Sequence, residues 1–164
     1  MGRTDCTRPC RRDPCDCVRD PSAIRKNVAD LVRSSLDYAL ANAPHQSSAW
    51  LLLAGLAARD QMPGIDAKEA VRMSYYTGPS ELELMPLRLW VAVHSDAFND
   101  IELRDSITRE VRLLFAHQQK SAIVAAYDAA PPVGKQFIEQ TIREIDPSAA
   151  ESLRASAQGS HSPN

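Results

Sequence analysis

The sequence predicts an all-α protein of about seven or eight short helices arranged as antiparallel hairpins. Apolar residues recur at spacings of three and four along residues 20–155, and no segment there shows the alternation typical of a half-buried strand. Capping residues and prolines divide this pattern into short segments joined by short loops. Because short loops place consecutive helices side by side in opposite directions, we expect hairpins and no sheet.

The first helix is predicted to begin at Pro21, after Asp20 as its N-cap, and to end before Pro44. Proline suits this start because the first helical position has no backbone hydrogen bond to lose. One apolar stripe runs along the helix and comprises Ile24, Val28, Leu31, Val32, Leu36 and Leu40.

The second and third helices are predicted on either side of a turn at residues 62–64. Ser47 or Ser48 caps the second helix, Asp66 caps the third, and Gly78 ends the third. The buried side of the second helix is predicted to include Trp50, Leu53, Leu56 and Ala57. We expect Trp50 and Leu53 to pack between the first and third helices.

The fourth helix is predicted to start near Pro86, after an irregular turn, and to run to about His94. Asp100 caps a long fifth helix with apolar residues at helical spacing. Three further helices are predicted: one over residues 121–130 that stops at Pro131 and Pro132, one that carries Phe137 and ends at Asp146, and a short last one that Pro147 opens.

Tyr75 and Tyr76 lie next to each other near the end of the third helix. Adjacent helical residues point about 100° apart, so we expect one ring to pack inward and the other to cover the loop. Arg72 lies one turn earlier and is predicted either to stack on one of these rings or to lie on a solvated surface.

The 164 residues are 44% apolar and include 19 Lys and Arg against 21 Asp and Glu, for a formal charge of −2. This composition is typical of one ordinary globular domain. It provides no basic field of the kind that binds nucleic acid. The richest apolar run, residues 82–93, is interrupted by charges and a proline and is shorter than the roughly 20 residues of a bilayer span.

Residues 1–19 are predicted to be a disordered arm, and all four cysteines lie in it at Cys6, Cys10, Cys15 and Cys17. The arm lacks the apolar stretch of a secretory signal, so two interpretations are open: a genuine arm of reduced cysteines, or upstream sequence included through a misassigned start. Four thiolates could also hold zinc, although Cys15 and Cys17 are close together for one metal ion. The helical domain is predicted over residues 20–155 and a disordered tail over residues 156–164.

Pro44 and Pro79 each close a predicted helix and lie 35 residues apart, near the period of about 34 residues in one family of helical repeats. Trp50, Leu53, Ala54 and Ala57 follow the order of large and small contacts in that unit. Residues 36–79 therefore resemble one tetratricopeptide repeat and the second half of a preceding one. The resemblance implies a right-handed array of about seven helices, packed through large residues opposite small ones. It weakens after Pro79, where Arg88 occupies a position that is usually leucine.

The resemblance also implies an inner groove lined by fixed positions of alternate helices. These positions carry Ser48, Leu51, Gly55, Ala58 and Arg59, and then Glu83, Trp90, Val93 and His94. We predict that Leu51, Arg59, Trp90 and His94 bind a protein or peptide partner, because aromatic and arginine side chains dominate binding hot spots. A core position for Trp90 is the alternative.

We expect no enzyme, no cofactor and no metal site in the helical domain. The four histidines, His45, His94, His117 and His161, are scattered without metal-ligand spacing. The sequence contains no nucleophile elbow, no phosphate-binding glycine loop and no redox Cys-x2-Cys motif.

The leading functional hypothesis is a non-enzymatic scaffold or adaptor that binds another protein. One alternative is an accessory subunit of a bacterial envelope or polysaccharide-export system with a misassigned start. Another is a zinc-binding regulator that uses the arm cysteines. We expect a cytoplasmic location for the sequence as written, and a periplasmic or membrane-anchored one if the true start lies upstream. The oligomeric state stays open.

Overall fold

The computed structural model describes residues 21–60 and 64–159, with side chains at residues 30–59 and 64–155. Its helices are α1 Pro21–Asn42, α2 Ser47–Asp60, α3 Ala67–Thr77, α4 Met85–His94, a 3-10 turn Ala97–Asn99, α5 Ile101–Ala116, α6 Lys120–Ala129, α7 Pro132–Ile145 and α8 Pro147–Gly159. These residues contain no strand, so the all-α prediction is confirmed. None of the described helices is both long and apolar enough to cross a bilayer.

The predicted capping residues mark the helix ends. Asp66 Oδ1 accepts a hydrogen bond from the backbone N–H of Lys68 at 2.9 Å, and Asp100 Oδ1 accepts one from Glu102 N–H at 3.0 Å. Gly78 follows α3 and donates its N–H to a carbonyl of the last turn at 3.1 Å. These bonds satisfy backbone groups that a helix end leaves without partners.

The C-terminal helices differ slightly from the prediction. Helix α6 is Lys120–Ala129, one residue earlier at each end than predicted. Helix α8 continues to Gly159, into the segment that was assigned to the tail, and Ala157 and Gln158 are residues that favour a helix. The predicted arm with Cys6, Cys10, Cys15 and Cys17, and residues 160–164 of the tail, lie outside the described residues.

Each helix packs against the next one, and several also pack against the next but one. Helix α4 contacts α2 on one side and α6 on the other, α6 contacts α8, and α5 contacts α7. Helix α1 packs on α2, at the N-terminal end of the array. The chain is therefore an all-helical array in which neighbours in sequence are neighbours in space.

The core has a large and a small cluster. The large cluster runs through α2–α8 and includes Leu51, Val71, Leu89, Val91, Ile107 and Ile138. The small cluster joins α1 to α2 and contains Leu36, Leu40, Ala49 and Leu53. Trp50 is half-buried between the two clusters, and its Nε1 donates a hydrogen bond to the Pro44 carbonyl at 2.8 Å. The predicted burial of Leu53 is confirmed, whereas Trp50 keeps one edge near solvent.

Candidate functional site

The structure separates the four residues that were predicted to bind a partner. Leu51 has no exposed surface and belongs to the large core cluster. Its assignment to a binding surface is therefore wrong, because the side of α2 that carries it packs into the array. Arg59 is exposed in the last turn of α2, and Trp90 and His94 are half-buried on α4.

Trp90 and His94 form a stacked pair on α4. Their ring centroids are 4.0 Å apart and their planes differ by 22°. His94 Nδ1 lies 2.8 Å from the Trp90 carbonyl oxygen, and because a carbonyl oxygen can only accept, Nδ1 donates this hydrogen bond. The bond and the stack together hold both rings in one orientation, although Trp90 also packs partly against the core.

The exposed residues of α2 and α4 form two stripes at helical spacing. On α2, Leu52 is 50% exposed and lies two turns before exposed Arg59. On α4, Leu87 is 41% exposed and shares its side with Trp90 and His94. We call these five residues the α2–α4 face. The exposed leucine of α2 is therefore Leu52, the residue after the predicted Leu51.

Arg88 is fully buried between α3, α4 and α5, and no carboxylate lies beside it in the sequence. Its Nη2 donates to the Gly78 carbonyl at 3.0 Å, its Nη1 lies 3.7 Å from Glu110 Oε1, and its guanidinium carbon lies 4.5 Å from the Tyr75 ring centroid. The sequence indicated this cluster only through Arg88, which occupies a position that is usually leucine in the repeat pattern. Its partners could not be found from the sequence.

Glu110 completes this buried cluster. Its side chain is 2% exposed and accepts a hydrogen bond from the Tyr75 hydroxyl. Burial raises the pKa of Glu110 to about 7, because desolvation outweighs the opposing effects of the Tyr75 hydrogen bond and the Arg88 charge. Burial and the Glu110 charge also raise the pKa of Tyr75 well above its usual value. Within the described residues, Glu110 Oε1 and Arg88 Nη1 have no hydrogen-bond partner.

Arg72 does not stack on either tyrosine. It contacts Glu69, donates a hydrogen bond to Asp100 Oδ2 at 2.6 Å, and lies 3.9 Å from Glu102 Oε2. Three carboxylates therefore surround this one arginine. The expected division between the two tyrosines is observed, since Tyr75 reaches the buried cluster while Tyr76 is 71% exposed.

A cleft of about 190 Å³ lies between α3 and α5, directly beside the buried cluster. Tyr76, Leu103 and Leu113 contribute apolar walls, Glu110 lies in its lining, and Arg109 stands on α5 beside Ser106. A second hollow, of about 470 Å³, adjoins it through Arg109. Both features belong to the α5 side of the array.

Glu110 is the group in this cluster whose pKa is shifted into the physiological range. A pKa near 7 is in the range of acid–base catalysts, and the Glu110 side chain, which borders the cleft, is 2% exposed. Structural ion-pair networks produce such shifts as well. The described residues contain no group of three His, Cys, Asp or Glu side chains that could hold a metal ion.

Comparison with models of known protein families gives no match. Comparisons with curated proteins and with solved structures give none either.

Proposed function

We propose that this chain is a non-enzymatic helical scaffold that binds a protein or peptide partner on the α2–α4 face. The observation that carries the proposal is the set of apolar and aromatic side chains left at this surface: half-exposed Leu52 on α2, and half-exposed Leu87 on the same side of α4 as the stacked Trp90 and His94. Large apolar groups at a surface mark interaction sites when they are contiguous.

The packing of the helices supports one shared face for the two stripes. On α2, Leu52 and Arg59 lie opposite Ala54 and Ala57, which are buried. On α4, the exposed stripe lies opposite Met85, which lines the cleft toward α3 and α5.

The two helices are also in direct contact. A methyl group added at Gly55 on α2 would lie 3.5 Å from Val91 Cγ2 on α4. The exposed sides of α2 and α4 are therefore neighbours. This arrangement gives a partner one surface with apolar contacts and a cation, Arg59, at its edge.

The resemblance to tetratricopeptide repeats supports the same proposal from the sequence. Such arrays expose a continuous row of alternate helices, on which an extended partner can lie. The packing of α4 between α2 and α6 is of this kind. Arg59 and Trp90 are the residue types that dominate binding hot spots.

The test is recovery of the partner from native cell extract by tagged protein, identified by mass spectrometry after crosslinking. We expect Leu52→Asp and Leu87→Asp to abolish recovery of that partner, because each places a charge in the apolar part of the face. Val133→Asp is the matched control, since Val133 is 55% exposed on α7. Equal loss with the control, or none with either face variant, would remove the proposal.

A further inference from the structure

We propose a second docking site on the α5 side of the array, which takes an acidic segment carrying one large apolar side chain. The site consists of the cleft between α3 and α5 and the hollow that adjoins it through Arg109. It shares no residue with the α2–α4 face and goes beyond the function proposed above.

The cleft has the size and walls of a pocket for one side chain. Its volume of about 190 Å³ is below the roughly 300 Å³ at which small-molecule sites begin. Its walls include Tyr76, Leu103 and Leu113. Of these side chains, Tyr76 is 71% exposed. Helices α3 and α5 pack less closely than α5 and α7, which leaves this space open. An apolar anchor would bury the exposed ring and fill the space.

The hollow next to the cleft is lined by three arginines of α5: Arg104, Arg109 and Arg112. Among the described residues, no carboxylate lies within ion-pair distance of Arg104 or Arg109. Arg112 approaches Glu144 at 3.4 Å, but both side chains are more than half exposed, so this pair is weak and can exchange partners.

Within the hollow itself, the acidic groups do not cancel this charge. Asp105 and Glu144 line the hollow, which leaves an excess of one positive charge there. At the cleft, Arg72 has three carboxylates around it, Glu69, Asp100 and Glu102, so the positive excess of the site lies in the hollow and not around Arg72. The described cations of the hollow without a carboxylate partner are therefore Arg109 and Arg104, whose guanidinium carbon lies 5.7 Å from the Phe137 ring centroid. A guanidinium can bind a carboxylate through two parallel hydrogen bonds.

Arg109 connects the two parts of the site, because it lines both the cleft and the hollow. A segment with its apolar side chain in the cleft therefore places its neighbouring residues beside the arginines. This geometry selects acidic neighbours. A phenylalanine flanked by glutamates is the simplest peptide with this chemistry.

The experiment measures fluorescence anisotropy of a labelled pentapeptide, Glu-Glu-Phe-Glu-Glu, against the full chain at low salt. We expect saturable binding that weakens at least about tenfold when phenylalanine is replaced by alanine, and that is lost when the glutamates are replaced by lysines. A phosphoserine peptide or a single-stranded oligonucleotide that binds more tightly would assign the arginines to phosphate and overturn the proposal. Absence of binding up to about 1 mM peptide would overturn it as well.

Matched variants locate the binding on the protein. Arg109→Glu should weaken the peptide at least about tenfold, whereas Arg33→Glu makes the same charge change on α1, at a side chain 38% exposed, and should leave the affinity unchanged. Tyr76→Ala should weaken it, whereas Tyr38→Ala, at a tyrosine 74% exposed on α1, should not. All four residues are exposed or partly exposed, so thermal melting by circular dichroism can confirm that each variant folds. Equal effects of the paired variants would overturn the assignment of the site.

Discussion

Arg88 Nη2 donates a hydrogen bond to the carbonyl oxygen of Gly78 at 3.0 Å and so ties the middle of α4 to the residue that ends α3. Gly78 has a second constraint on its other side, where its α-carbon lies against the hydrogen bond from Ser47 Oγ to Glu81 Oε1. The start of α2, the end of α3 and the centre of α4 therefore meet at one glycine.

Gly78→Ala should destabilise the protein by about 1–3 kcal/mol, because a β-carbon would lie 2.6 Å from Ser47 Oγ and closer still to the Glu81 carboxylate. Gly55→Ala is the contrasting variant, since its β-carbon would meet Val91 at ordinary contact distance within a helix. We expect it to stabilise the protein by up to about 1 kcal/mol. Urea unfolding measures both, and a stable Gly78→Ala variant would contradict the close packing.

Removing one partner of the buried pair Arg88 and Glu110 should destabilise the protein strongly. Replacing both partners by apolar residues should destabilise it much less. Arg88→Met alone leaves a buried carboxyl group without its cation and is expected to cost about 3–5 kcal/mol. The double variant Arg88→Met, Glu110→Leu removes both charges and should lose much less than the sum of the two single variants. Additive losses in urea unfolding would show that the two side chains are not coupled.

The pKa of Glu110 predicts the direction of a pH effect on stability. It is raised to about 7 in the folded protein from the ordinary value of 4.5, so the folded state binds the proton more tightly than the unfolded state. The stabilising contribution is complete below about pH 4.5 and is lost as pH rises to about 7, by about 3 kcal/mol. Glu110→Gln should remove this difference between pH 5 and pH 8 in urea unfolding, whereas Glu83→Gln, at an exposed residue, should keep it.

Trp50→Ala should cost about 3 kcal/mol, the lower end of the range for large core residues, because the ring is only half-buried. It joins the two core clusters and donates one hydrogen bond to Pro44. Trp50→Phe keeps the contact area and removes that donor, so we expect a loss of about 1 kcal/mol. A loss below about 1 kcal/mol for the alanine variant, measured by thermal unfolding, would show that α1 is not held through this ring.

The helix ends could be predicted from the sequence because they depend on local chemistry. Asp66, Asp100 and Gly78 act within one turn of their own helix, and each lies where it was predicted. The rotation of a helix about its axis depends instead on all its neighbours. The sequence therefore predicted a surface position for Leu51, whereas the packing of α2 against α4 buries Leu51 and exposes Leu52.

The partners of the buried Arg88 were harder still to predict from the sequence. Arg88 departed visibly from the repeat pattern, but Tyr75 and Glu110, its partners, come from two other helices. The tyrosine pair indicated that one ring packs inward, but nothing local to Tyr75 or Glu110 indicated that they meet. Only the juxtaposition of α3, α4 and α5 shows that a carboxyl group and a phenol contact the guanidinium.

The packing of each helix on its nearest neighbours in sequence should determine how its amide protons exchange with solvent. Helix α1 is held through its contact with α2, at the opposite end of the chain from α7 and α8. Amide protons of α1 should therefore exchange with solvent through local openings that leave α4 to α7 intact, while amides of α4, which has helices on both sides, should exchange only in larger openings. We therefore expect the protection of amide protons to rise from α1 to α4.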